Sequence, residues 1–341
     1  MAVSYREHEI GESYETGEAL PNAMQQAEER GFYDFVIFDA DAHHYDAQAW
    51  AEISDYLENP IIRYRAKGGE YGLPVSLLGS AVHVDNLDQS MSGRLLRYPL
   101  GRHEAKEMPG GAGKELRWIR RAMDALAVDY EIMFPTTLLG LCTQPSLELE
   151  VGISRAYARW MAERILPESE RIKTLLYLPL NEPAAALRVI EEFGDPTPGV
   201  LGYMTTGCRT RDLHHNDLVP VYRAIEERGV PLAFHGGVEP VDINLGMLDR
   251  FLAHHALRFP ISQATYLANW IVHGMPERFP DLKVLWIEGG LAWVPFMMQR
   301  LDHEFGMRTS EAPLLKRWPS EYMREMYYTS QPLERSDLEC L

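Results

Sequence analysis

The sequence predicts an α/β fold of the (β/α)8 TIM-barrel type, with an insertion after the first strand. Three observations predict it. From residue 127 onward, short apolar runs alternate with stretches of helical apolar spacing, the rhythm of a parallel sheet covered by helices. Some runs are apolar throughout, such as Pro231-Leu232-Ala233-Phe234, as strands buried on both faces are. Three runs end in titratable residues, and two of these are followed by paired glycines. Barrel enzymes gather their chemistry at the carboxyl ends of the strands.

Taken in order, residues 1–30 form an acidic arm (Glu7, Glu9, Glu12, Glu15, Glu18, Glu28, Glu29) with a short helix from Asn22 to Arg30. The barrel domain occupies 31–341. Its first strand starts near Phe35. Residues 46–127 show no strand–helix rhythm and include Lys67-Gly68-Gly69-Glu70 and Pro109-Gly110-Gly111-Ala112-Gly113. So long a connection reads as an insertion that covers a site, with His83 and His103 as weak contributors and a helix over 114–126. Strands are then expected over 127–134, 172–178, 200–204, 231–235, 283–288 and 326–330. The intervening helices fall at 146–166, 182–193, 218–228 and 292–305, and a long segment with helical spacing spans 238–278. These make seven strands where a closed barrel needs eight. The eighth is missing from this chain.

Composition narrows the function. Net charge is −17, which disfavours nucleic acid and anionic membranes as partners. No apolar run reaches the roughly 18 residues of a membrane span, and the acidic start lacks the apolar core of a signal peptide. The cysteines Cys142, Cys208 and Cys340 are scattered and odd in number. That suits a reducing, cytoplasmic setting.

The strand tips carry the chemistry. In Phe35-Val36-Ile37-Phe38-Asp39-Ala40-Asp41-Ala42-His43, alternation puts Phe35, Ile37, Asp39, Asp41 and His43 on one face. Buried carboxylates need a cation or donors. A divalent metal held by Asp41 and His43 would supply the cation, with Asp39 orienting its neighbours; a turn-forming Asp is the plainer reading. His235 ends the fifth strand as a ligand or as a satisfied core histidine. Glu288 ends Val284-Leu285-Trp286-Ile287 as a proton-transfer group or as the partner of an Arg. Asp, His and Glu donors suit zinc, manganese or iron. Tyr203, Arg209, Arg211, His214 and Thr329 stand at or beyond strand ends, where they would contact a carboxylate or carbonyl. His254, His255 and His273 read as surface or helix-end residues.

Asp39-Ala40-Asp41-Ala42-His43, Phe234-His235-Gly236-Gly237, and the stretch from Glu277-Arg278-Phe279-Pro280-Asp281-Leu282 through Glu288-Gly289-Gly290-Leu291-Ala292-Trp293-Val294-Pro295 resemble the amidohydrolase-related family that contains aminocarboxymuconate semialdehyde decarboxylase. The resemblance runs from about Phe35 to the end. It implies a metal-dependent (β/α)8 barrel, a homodimer, and a member of a group of decarboxylases of aromatic or dienoic acids, hydratases, and C–C or ester hydrolases. The family's first-strand His-x-His metal pair corresponds to Asp41 and His43, and its fifth-strand metal histidine to His235. Its general-base histidine falls on Glu288, a departure. Its last metal ligand, an eighth-strand aspartate in a Ser-Asp-Tyr-Pro-His-like stretch, has no counterpart, so the chain looks truncated relative to the family.

The expected function is a metal enzyme. One divalent ion is favoured, held by Asp41, His43 and His235 with Glu288 beside it, and it acts on a small carboxylated substrate. Decarboxylation and C–C or amide hydrolysis fit equally well, with His235 and Glu288 as the catalytic pair. Two alternatives remain at this stage. With Glu288 as an added ligand the pocket could hold two irons and activate oxygen. An incomplete barrel could instead serve as a non-catalytic binding module.

Overall fold

The computed structural model describes residues 16–44, 46–67, 112–236, 248 and 251–330. The first part of the acidic arm, the centre of the insertion with His83 and His103, Gly237, and the chain beyond 330 lie outside the described residues.

The seven expected strands form one parallel sheet in chain order. They are β1 (Phe38–His44), β2 (Tyr130–Pro135), β3 (Ile172–Tyr177), β4 (Val200–Thr205), β5 (Leu232–His235), β6 (Val284–Ile287) and β7 (Tyr327–Tyr328). The sheet curls into a half-barrel, an incomplete form of the eight-stranded barrel. Among the described residues β1 and β7 are its two edges. β1 starts three residues later than the sequence suggests and runs on through His44, so Asp39, Asp41 and His43 lie within the strand.

Helices alternate with the strands for local reasons. Before β1 comes α1 (Thr16–Glu29), and the short α2 (Trp50–Ile53) and α3 (Pro60–Ala66) follow it. In α4 (Ala112–Leu126), Leu116, Ile119 and Met123 recur on one face and are buried, as an amphipathic helix requires. In α5 (Leu147–Trp160), Ser146 caps the first turn, its Oγ accepting from the Leu149 N–H at 3.4 Å and satisfying one of the otherwise orphaned donors there. Then come α6 (Pro183–Val189) and α7 (Val219–Glu227). After α7 the chain stops at Gly229, whose φ of +65° is costly for any other residue. The long segment before β6 resolves into α8 (Phe251–Val272) and α9 (Met275–Arg278). Last come α10 (Trp293–Arg308) and α11 (Pro319–Met323).

Two apolar clusters result. Leu175, Met204, Ala233 and Ile287 belong to one, together with residues from α4 and α5. Leu176, Tyr203, Leu232, Phe234, Val284 and Trp286 belong to the other, with α7 and α8. Neighbours along a strand thus part to opposite faces. Ala233 and Ile287 take the inner face of β5 and β6, and Phe234 and Trp286 the outer.

Trp286 is fully buried and stacks on Phe234 with ring centroids 4.8 Å apart. Trp286→Ala should lower the unfolding free energy by about 3–5 kcal/mol, read as a fall in the denaturant midpoint. A loss below about 1 kcal/mol would show that the sheet–helix interface contributes little.

Candidate metal centre

The inner face of β1 presents Asp41 and His43. The Asp39 carboxylate accepts a hydrogen bond from the Asp41 N–H at 3.0 Å and so braces the backbone that leads into Asp41. The alternate residue, His44, turns to the helix layer. There its Nε2 lies 2.7 Å from the Tyr157 hydroxyl and its ring stacks on Trp160.

His235 is the last residue of β5 and is buried. Its Nδ1 lies 2.6 Å from Gly236 O. A carbonyl can only accept, so Nδ1 carries the proton and Nε2 offers a lone pair. On His43 the outer nitrogen, Nδ1, lies 3.4 Å from Thr136 Oγ1 at the end of β2. Each imidazole therefore presents Nε2 inward.

Glu288 arrives by a different route. Alternation on β6 puts Trp286 outward and would put Glu288 outward too. Instead Glu288 adopts a φ of +60°, one of two non-glycine residues with positive φ among those described. Its N–H is held by Thr329 Oγ1 at 2.7 Å. The left-handed backbone, costly by about 1–2 kcal/mol, turns the carboxylate back toward the barrel. Its Oε2 lies 3.6 Å from His43 Nε2 and 3.5 Å from His235 Nε2.

The four groups meet at one point. His43 Nε2 and His235 Nε2 are 3.0 Å apart, and Asp41 Oδ1 is 3.4 Å from the first and 3.5 Å from the second. One ligand atom from each residue lies within 4.8 Å of every other. Ligand atoms at about 2.1 Å from a tetrahedral ion stand about 3.4 Å apart, close to the 3.0–3.6 Å found for the pairs that involve an imidazole nitrogen. Asp41 Oδ1 is buried with no hydrogen-bond donor, which a cation would remedy. Phe134, fully buried, packs against both imidazoles at centroid distances of 5.9 and 5.3 Å. The donor set and its spacing fit a single divalent ion.

The electrostatics agree. Burial opposes ionisation of Asp41, yet the His235 and His43 imidazoles hold its carboxyl well below the usual range. Burial likewise disfavours a charged His43, but Asp41 and Glu288 raise its pKa from 6.5 to about 9. The cluster thus calls for positive charge, and a proton on His43 meets that demand in the metal-free protein.

Sequence reasoning brings Asp41, His43, His235 and Glu288 together, and the structure does so too. The weaker candidates lie elsewhere. Tyr203 is not at a strand end: β4 continues to Thr205, and the Tyr203 hydroxyl donates to Ile190 O at 3.4 Å in the helix layer. Arg209 donates to Pro145 O at 3.2 Å. Arg211 lies 3.5 Å from Asp217. His214 stacks on His273 at 3.5 Å. Tyr222 and Arg278 hold the carbonyls of Leu213 and His214, so this loop is tied down to the helices. Thr329 supports Glu288 rather than a ligand's carbonyl. Thr136 was not singled out, although a Thr straight after the strand-ending Pro135 is a readable signal.

Comparison with known proteins then gives the family. A family model described as amidohydrolase matches residues 113–337. The chain belongs to the amidohydrolase family. Solved structures of similar fold include an amidohydrolase of Mycobacterium avium subsp. paratuberculosis, at 16% identity and a TM-score of 0.63 over 88% of this chain and 84% of that one. Another is the 5-carboxyvanillate decarboxylase of Sphingomonas paucimobilis, at 20% and 0.61 over 89% and 84%. A third is a dihydroxybenzoic acid decarboxylase of a Polaromonas species, solved with manganese and the inhibitor 2-nitroresorcinol, at 15% and 0.57 over 89% and 81%. At these identities the likeness is one of fold. Among the described residues of this amidohydrolase no helix is long and apolar enough to cross a membrane.

The raised pKa of His43 has two consequences. A folded-state value of about 9 against an ordinary 6.5 means that protonated His43 stabilises the metal-free fold below pH 6.5, and that this contribution is lost as pH climbs to about 9. A metal needs the neutral imidazole, so metal and proton compete at every pH below about 9. Mn2+ affinity should therefore rise between pH 6.5 and about 9, by up to roughly tenfold per pH unit, and then level off. Calorimetry in buffers of different ionisation enthalpy would count the proton released. Affinity that stays flat over this range would contradict the assignment.

Proposed function

We propose that this amidohydrolase is a divalent-metal enzyme that decarboxylates a small aromatic or dienoic acid. The observation that carries the reading is the convergence of Asp41, His43, His235 and Glu288 at three strand tips. The resemblance of the fold to carboxyvanillate and dihydroxybenzoate decarboxylases, one of them with manganese, supports the choice of reaction.

Asp41, His43 and His235 hold the ion, and the compactness of the set favours one ion over two. The bound ion would supply Lewis acidity, anchoring a carboxylate or phenolate oxygen and drawing charge from the ring. Glu288 then moves the proton. It delivers a proton to the ring carbon that bears the carboxylate. The C–C bond breaks, CO2 leaves, the ring keeps a hydrogen, and Glu288 regains its proton from water. No redox partner is needed. The left-handed backbone of Glu288 and its Thr329 hydrogen bond keep the carboxylate from swinging outward, which is the positioning that proton transfer requires. His235, buried and locked in one tautomer by Gly236 O, acts as a fixed ligand. Hydrolysis of a C–C or amide bond would use the same residues with water as the attacking group, but no observation favours it over decarboxylation.

The test is CO2 release from hydroxybenzoates and related carboxylates by the Mn2+-loaded protein, compared with Glu288→Gln. The substitution should lower kcat by about 10²- to 10⁴-fold. It should leave binding of a nitrophenolic analogue within a few-fold of the unsubstituted protein. Full activity in Glu288→Gln, or ring products formed without CO2, would refute the assignment.

A further inference from the structure

We infer that Gln263, on helix α8, is a positioning residue that sets at once the aim of the β5 metal ligand His235 and of the proton-transfer group Glu288 after β6. This rests on the reading that His235 binds a divalent cation, with Glu288 beside it as the proton-transfer group.

Gln263 is buried at 1% exposure. Its Nε2 donates to Phe234 O at 3.3 Å and also to Ile287 O. These carbonyls belong to the peptide planes that immediately precede His235 and Glu288. Fixing the two planes fixes the directions in which the His235 and Glu288 side chains leave the backbone. Ile287 O also accepts from the Gly236 N–H at 3.1 Å. One small knot of hydrogen bonds therefore joins both strand tips to α8.

The glycines after His235 and Glu288 complete the device. A Cβ at Gly289 would collide with the Gln263 carboxamide, and a Cβ at Gly236 would collide with the ring of Phe259. Phe259 lies one helical turn before Gln263, so the two share a face of α8. That face seats directly on the backbone just past His235 and Glu288, which only glycine permits. Gly289 carries no unusual φ requirement. Its absence of a side chain is a matter of space, and the space is occupied by Gln263. The carboxamide oxygen has no hydrogen-bond donor, a cost the site bears to keep two donors on the strand carbonyls.

Partners one step behind metal ligands typically change metal affinity by about 10- to 100-fold. The experiment measures Mn2+ affinity of the full chain from the free-Mn2+ EPR signal. Gln263→Met keeps the volume and removes both donors. It should weaken Mn2+ binding by about 10- to 100-fold with near-UV circular dichroism preserved. Ser262→Ala is the control, because its buried hydroxyl returns to Arg258 O and Phe259 O within the helix, and its affinity should match the unsubstituted protein. Should Gln263→Met not fold, Gly289→Ala takes its place. It should weaken binding in the parent chain and add little in Gln263→Ala, where the space has been vacated. Parent-like Mn2+ affinity in Gln263→Met, an equal loss in Ser262→Ala, or strictly additive losses in the Gly289 pair would overturn the inference. A parent protein that binds no Mn2+ would overturn the metal reading itself, a separate outcome.

Discussion

The structure depends on a demand for positive charge among four groups that cannot otherwise share one space. Two imidazole nitrogens lie 3.0 Å apart, each 3.4–3.6 Å from two carboxylates, and all four groups lie within 4.8 Å of one another. Without a cation such an arrangement is repulsive and poorly solvated. Much of the surrounding architecture makes sense as the means of holding these groups together. Asp39 braces the strand just ahead of Asp41, Gly236 O fixes a tautomer, and Thr329 holds a backbone that alternation alone would point the other way.

The half-barrel supplies the convergence. Parallel strands in chain order place the carboxyl ends of β1, β5 and β6 on one rim, although the residues lie nearly 250 positions apart in the chain. The helix layer supplies rigidity. On one side His44 reaches Tyr157 and Trp160 on α5. On the other, Gln263 and Phe259 of α8 press against the backbone of β5 and β6. The cluster is thus gripped from behind through main-chain atoms, where a small error in one peptide plane becomes a larger one at a ligand atom.

Much of this was legible in the sequence because burial writes itself as pattern. Apolar runs between helical stretches marked the strands after β1, whereas the run that announced β1, Phe35-Val36-Ile37-Phe38, lies mostly ahead of it and is largely exposed; the Asp, His or Glu that follows such a run marked the cluster. What was not legible depends on backbone detail. Tyr203 looked like a strand-end group because nothing in Gly202-Tyr203-Met204-Thr205 announces that β4 runs two residues further. The inward turn of Glu288 rests on a single dihedral angle that composition does not encode, beyond the glycines that follow it. Gln263 sits 28 residues after His235 in the chain, and its reach to two strand carbonyls depends on how α8 lies against the sheet.

Crystals of the protein soaked with Mn2+ offer the most direct test of the central claim. An anomalous difference map collected near the manganese edge should show one peak per chain, bounded by Asp41, His43 and His235 with Glu288 at its side. A peak elsewhere, or none where these four side chains meet, would contradict the account.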